Sequence, residues 1–150
     1  MLDWPVAGGR GAWPVYRAEQ AHIDDGESAA WDLGNQEGLP WEAVTDGVIA
    51  PGTGYDPGTA GNVVVLDTGL LRFHYCHGQA LEVQVGQVVR KGEVIGHVGH
   101  TGWTIPPGIE GAHLHFWAEQ WLGEWTRRWP SELYEEMEMD KAEIERALGV

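Results

Sequence analysis

From residue 43 to residue 121 the chain is a series of short β-branched or alternating runs, each closed by a turn residue. "AVTDGVIAPG", "GNVVVLDTG", "LLRFHYCHG", "ALEVQVGQVVRKGEVIGHVG" and "AHLHFWAEQW" follow one another, broken at Gly, Asp-Gly or Lys-Gly. A strand alternates its side chains between two faces, whereas a helix repeats every 3.6 residues. Runs this short leave no space for helical crossovers, so the pattern predicts antiparallel strands joined by tight turns and no βαβ alternation. With 150 residues, 43% of them hydrophobic, the chain has material for one domain with a core.

Two segments depart from this pattern. The first third, with "PVAGGRGAWP", "AHIDDGES" and "NQEGLP", reads as loop. The tail "SELYEEMEMDKAEIERALGV" reads as helix, from Ser131 and Glu135 at its start, good helix formers, and apolar Leu133, Met137, Ile144 and Leu148. Trp117, Trp121, Trp125 and Trp129 recur at helical spacing, but Gly123 interrupts them and Pro130 follows. Two short strands about Leu122-Gly123-Glu124 fit better, with the tryptophans packing rather than forming a carbohydrate platform. The expected fold is all-β: a compact antiparallel β-sandwich with an open groove and a C-terminal helix.

Charge narrows the partners. The formal net charge is −14, with only 9 Lys and Arg, which disfavours nucleic acid. No apolar run approaches the ~20 residues of a membrane span. "MLDWPVAGGRGAWPVYR" has no basic start followed by an apolar core, so no signal peptide is expected. The single cysteine, Cys76, rules out an internal disulfide framework.

Chemistry concentrates in the histidines. Six of seven fall between residues 74 and 115, and "GAHLHFW" sets His113 and His115 on one strand face, roughly 7 Å apart. Leu114 and Phe116 take the other face. Neutral imidazole is the commonest metal ligand and a good general base. A hydrolytic zinc site needs three protein ligands, an open position for water, a neighbouring base and a donor for the oxyanion. Asp32 in "SAAWDLG", His77 in "FHYCHGQ" and the His113/His115 pair can supply such groups.

At these residues the chain resembles the lysostaphin-like (LytM-type) zinc endopeptidases, which cut peptide bridges in bacterial cell walls. "WDLGNQEGLPWEAVTDGVIAPG" looks like that family's Asp-containing segment. "LRFHYCHG" is similar to its "YAHL" motif through Tyr75 and His77. "VQVGQVVRKGEVIGHVGHTG" follows "V.VGQ.V.KGQ.IG.VG.TG" almost residue for residue. "GAHLHFW" resembles "GPHLHFE", with Trp117 in place of Glu. The resemblance implies a β fold of duplicated hybrid motif type and a peptidase domain over residues 1–130, with residues 131–150 as a helical appendage. It implies zinc (Zn2+) as cofactor, Asp32 and His115 as ligands, and His77 and His113 as catalytic histidines.

One position departs from the family. Where it reads H-x-x-x-D, this chain has Ser28 before Asp32. A hydroxyl is a poor zinc ligand, so His22, ten positions before Asp32, is expected as the third. Asp24, Asp25 and Glu27 are less favoured candidates in the same stretch. The expected function is zinc-dependent hydrolysis of peptide bonds in bacterial peptidoglycan, outside the cytoplasm. A phage could deliver such an enzyme, with virion or tail proteins as partners. The alternative is a zinc-deficient, non-catalytic module that binds cell wall or positions a partner. Biotinyl or lipoyl carriers and the sugar-phosphotransferase IIA protein fit worse: Lys91 sits in a structural turn, and the IIA protein lacks the Asp32 motif. His97 and His100 are expected to be exposed turn residues, and His74 to stay outside the site. "PGTGYDPGTAG" is expected to form a groove-edge loop.

Overall fold

The computed structural model describes residues 1–138 and 141–149, with only the backbone for 141–144. Among these residues the order is α1 (Glu19–Asp24), β1 (Trp31–Leu33), β2 (Pro40–Glu42), β3 (Gly47–Ile49), β4 (Gly54–Asp56), β5 (Gly61–Asp67), β6 (Leu71–Gly78), β7 (Val88–Val89), β8 (Val94–His97), β9 (Leu114–Trp121), β10 (Trp125–Arg128), α2 (Pro130–Met137) and α3 (Lys141–Leu148). Eight strands form one sheet in the order β1-β9-β6-β5-β3-β7, with β10 also on β9 and β4 also on β5. β2 and β8 form a second, two-stranded sheet. The pairings described are all antiparallel.

Alternation decides which side of the large sheet is core. Leu114, Phe116 and Ala118 of β9, Phe73 and Tyr75 of β6, and Val64 and Leu66 of β5 are buried in one cluster. The small sheet covers them: Trp41 of β2 packs on Tyr75 with ring centroids 5.6 Å apart. That approach requires Gly78 and Gly96, where a Cβ would come within 2.8 and 2.6 Å of the Trp41 ring. The opposite face of the large sheet, with His115, Trp117 and Glu119 of β9, is not covered by a second sheet.

The first third is more ordered than its composition predicts. It contains α1, β1 and β2, and "PGTGYDPGTAG" contributes β4. β1 is only three residues long and buried throughout, so it shows no alternation to read. It exists because β9 offers it an edge. The N-terminal residues Leu2, Trp4 and Val6 are ordered by burial in the core.

The tail is helical, in two pieces. α2 begins at Pro130, which fits a first turn because its missing N–H would have no partner there. Ser131 does not cap its own helix; its N–H donates to Glu19 Oε2 of α1 at 2.8 Å, and its hydroxyl binds the same carboxylate. Leu133 and Tyr134 join the core, and the Tyr134 hydroxyl donates to the Asp3 carbonyl at 2.6 Å. Leu148 is exposed, and the side chain of Ile144 lies outside the described residues. Trp121 and Trp125 face each other edge-on across the hairpin joining β9 and β10, at 5.5 Å.

Candidate metal centre

Two of the candidate ligands meet by strand register. β1 pairs with β9 so that Asp32 stands directly opposite His115, and His115 Nδ1 lies 3.0 Å from Asp32 Oδ1. The third comes from outside the sheet. α1 places His22, fully buried, with Nε2 3.2 Å from the same Oδ1. One donor atom from each of His22, Asp32 and His115 lies within 4.8 Å of the others.

These atoms fit a metal ion on chemical grounds. His22 Nδ1 stands 3.0 Å from the Ala18 carbonyl, which can only accept, so Nδ1 carries a proton. Nε2 is then a lone pair, buried and without a hydrogen-bond partner. It faces a carboxylate oxygen, and two acceptors face each other stably only with a cation between them, a proton on Nε2 in the metal-free protein or a metal ion in its place. Ligands about 2.0–2.2 Å from a tetrahedral ion stand about 3.3–3.6 Å apart, close to the spacing here. Burial disfavours the charged forms, yet the electrostatics of the cluster prevail. The rings of His115 and His22 hold Asp32 far below the usual carboxylate range, and Asp32 with the Ala18 carbonyl raises His22.

The carboxylate is oriented from behind. Arg17 Nη1 donates to Asp32 Oδ2 at 3.2 Å, leaving Oδ1 for the histidines. Its Nη2 binds Asp25 at 2.6 Å and Glu27 at 2.5 Å, which pins the acidic turn after α1. Asp24, Asp25, Glu27 and Ser28 are exposed and outside the cluster. Sequence reading passed over Arg17; the signal was a lone arginine just before Asp24, Asp25 and Glu27.

The two remaining histidines are held by backbone carbonyls. His77 Nδ1 donates to Thr101 O at 2.8 Å, and His113 Nδ1 to Gly111 O at 2.7 Å. Their rings are 4.8 Å apart, and His77 is 6.0 Å from the His115 ring. His113 Nε2 lies 3.5 Å from Asp32 Oδ1. Burial lowers both, His77 to about 4, so each is neutral at neutral pH with Nε2 free to accept a proton. Tyr16, also overlooked in the sequence, meets the His113 ring edge-on at 6.5 Å. Burial first, and then Asp32, push its hydroxyl up to about 12, so it stays a donor.

His77 reaches this face through a backbone irregularity. Between β5 and β6 the pairs Asn62↔Gly78 and Val64↔Tyr75 leave two residues, Cys76 and His77, opposite one. Such a bulge re-aims a side chain. His77 has φ 71°, a left-handed conformation uncommon outside glycine and typical of functional sites. The carbonyl it binds is delivered by close approach: a Cβ on Gly61 would lie 2.4 Å from Thr101. Gly111 is similarly required, since a Cβ there would lie 1.8 Å from the Pro106 carbonyl. His97 and His100 pair with Glu82 and Glu37, at 2.6 and 3.0 Å, away from the cluster.

An imidazole from α1, joined to a carboxylate and an imidazole on the sheet face in a trio able to hold a cation, beside two neutral imidazoles, is a scaffold of metallohydrolase type. The chain belongs to peptidase family M23, whose family profile matches residues 26–124. That match opens just after His22. Over 96 residues the chain is 35% identical to the glycyl-glycine endopeptidase ALE-1 of Staphylococcus capitis, covering 63% of this chain and 25% of that protein. The chain thus spans about a quarter of the length of this relative. The catalytic domain of lysostaphin from Staphylococcus simulans superposes with TM-score 0.59 and 27% identity, over 71% of this chain and 77% of that one. A zinc-containing peptidase from Vibrio cholerae shares the fold, with TM-score 0.64 and 23% identity, over 85% of this chain and 39% of that one.

Proposed function

We propose that the protein is a zinc-dependent endopeptidase that hydrolyses peptide bonds of bacterial peptidoglycan. The observation that carries this reading is the buried, unpartnered Nε2 of His22 facing Asp32 beside His115. His22, Asp32 and His115 would hold the ion, and His77 and His113 would be the catalytic pair. Bound there, zinc would make water available as hydroxide near neutral pH and polarise the scissile carbonyl. The glycyl-glycine endopeptidase of Staphylococcus capitis supports a peptide bond as the target.

The chain's own groups account for the proton movements. His77 and His113 present bare Nε2 atoms because Thr101 and Gly111 fix the proton on Nδ1. One ring takes the proton of the attacking water at Nε2 and returns it to the departing amine. The Tyr16 hydroxyl, which keeps its proton, donates to the oxygen that becomes negative, and the other ring joins it only once Nε2 has taken up a proton. Arg17 keeps Asp32 from rotating. Ser28 in the family's histidine position favours the non-catalytic alternative, but His22 supplies an imidazole at the same cluster.

Purified cell walls provide the test. Turbidity should fall with zinc-loaded protein and stop with chelator, and mass spectra of released peptides should identify the bond cut. A protein that retains stoichiometric zinc yet releases no peptide from walls of several types would overturn the enzymatic reading.

A further inference from the structure

The face of β9 that carries His115 continues through Trp117 to Glu119, each step about 7 Å. β6 sets His74 opposite Trp117, and β10 sets Arg127 opposite Glu119. Directly opposed arginine and glutamate on strands usually neutralise each other. Here Glu119 is engaged elsewhere: it accepts from His74 Nε2 at 2.9 Å. Burial lowers His74 to about 4, so this donor is neutral.

Arg127 therefore forms no ion pair among the described residues, and Glu119 acts on it only through space. Five of the other six arginines, Arg10, Arg17, Arg72, Arg90 and Arg128, each form an ion pair. Arg127 is nonetheless held in place. Its Nε donates to the Ala29 carbonyl at 2.9 Å, and its guanidinium lies 3.8 Å from the centroid of the Trp117 ring, whose plane also stacks on His74 at 3.5 Å. Its terminal nitrogens are not among the buried atoms lacking a partner, so they face solvent. Burial lowers Arg127 to about 10, and it remains charged at neutral pH. A guanidinium fixed by Ala29 and Trp117, with its terminal donors open to solvent, is preorganised for an anion, and a chain of net charge −14 has many carboxylates that could have been placed there.

We propose that Arg127 binds a carboxylate of the substrate, about two residues from the bond at the metal centre. This rests on the endopeptidase reading above. The planar guanidinium suits bidentate pairing with a carboxylate. An extended peptide advances about 3.3–3.6 Å per residue, so two residues span the distance from His115 to Trp117, over which Arg127 lies. The preferred substrate class is thus an anionic peptide, in contrast to the uncharged glycyl-glycine bond in the name of the Staphylococcus capitis relative.

Peptidoglycan stem peptides with free carboxylates, and the same peptides with those carboxylates amidated, provide the probes. Binding to zinc-free protein is measured by calorimetry, and KM by hydrolysis with zinc-loaded protein. The wild type should bind the free-carboxylate form at least about tenfold more tightly, the scale of a charge-assisted hydrogen bond. Arg127→Gln should bring the ratio close to one, and Arg127→Lys should keep part of it. Thermal melting of both variants separates loss of the anchor from loss of the fold. A ratio near one in the wild type, or a ratio that survives in a folded Arg127→Gln variant, overturns the proposal. Discrimination in binding with no hydrolysis of either peptide would instead overturn the endopeptidase reading and leave the carboxylate site standing.

Discussion

His22 and His115 differ from His77 and His113 in what their rings face. His22, His77 and His113 each give an Nδ1 proton to a backbone carbonyl, so tethering does not separate the pairs. Asp32 does. It lies 3.0 Å from His115 and 3.2 Å from His22, whereas the nearer of the other two, His113, is 3.5 Å away. A carbonyl is a dipole and fixes only the tautomer, while a carboxylate is a charge and recruits a cation. In the proposed site the same side chain thus serves as a ligand in one place and a neutral base in another. The opposite shifts follow, with His22 raised and His77 lowered to about 4.

The largest effect should come from removing what distinguishes the pairs. Asp32→Ala should weaken zinc binding by roughly a hundredfold or more, as read by competition with a chromogenic chelator. His22→Ala should do the same, while Ser28→Ala keeps wild-type affinity. If His22→Ala binds as tightly as wild type, the ligand set is wrong. On the other side of the comparison, His77→Ala and His113→Ala should keep zinc and lose roughly a hundredfold in hydrolysis. A variant of this pair that loses zinc but regains full activity in added metal would mean that ligand and base have been exchanged.

Smaller effects sharpen the same contrast. Arg17→Met frees Asp32 Oδ2 and should cost about tenfold in zinc affinity, the scale of groups that orient a ligand. Unchanged affinity would show that β1 alone positions Asp32. In metal-free protein His22 and His77 should also act oppositely on stability. His77 is lowered from 6.5 to about 4, so the folded state binds fewer protons than the unfolded state in that window. Its contribution makes stability fall as pH drops from about 6.5 to about 4. His22 is raised above 6.5, so its contribution is fully present below that value and is lost as pH rises through its folded pKa. Urea unfolding against pH should show His77→Gln flattening the acidic limb and His22→Gln the neutral one. Identical profiles for both variants would remove the electrostatic distinction.

Much of this molecule follows from local pattern. Alternation in "GAHLHFW" is enough to put Leu114 and Phe116 in the core and His115 on the open face, because a strand's side chains can only alternate. Glycine-broken runs specify antiparallel strands for the same local reason. Three features needed the whole fold. β1 is too short to show a period and exists through its edge pairing with β9, which also sets Asp32 against His115. His77 would by alternation share the core side with Tyr75, and only the bulge against β5, with φ 71°, turns it to the histidine cluster. His22 is ten positions from Asp32 along the chain, and no local rule gives the distance between them. That distance is set by α1, which Glu19 ties to Ser131 at the start of α2, 112 residues away. Periodicity is a property of neighbours in sequence, whereas convergence of side chains on one point is a property of long-range packing, and only the tertiary structure decides it.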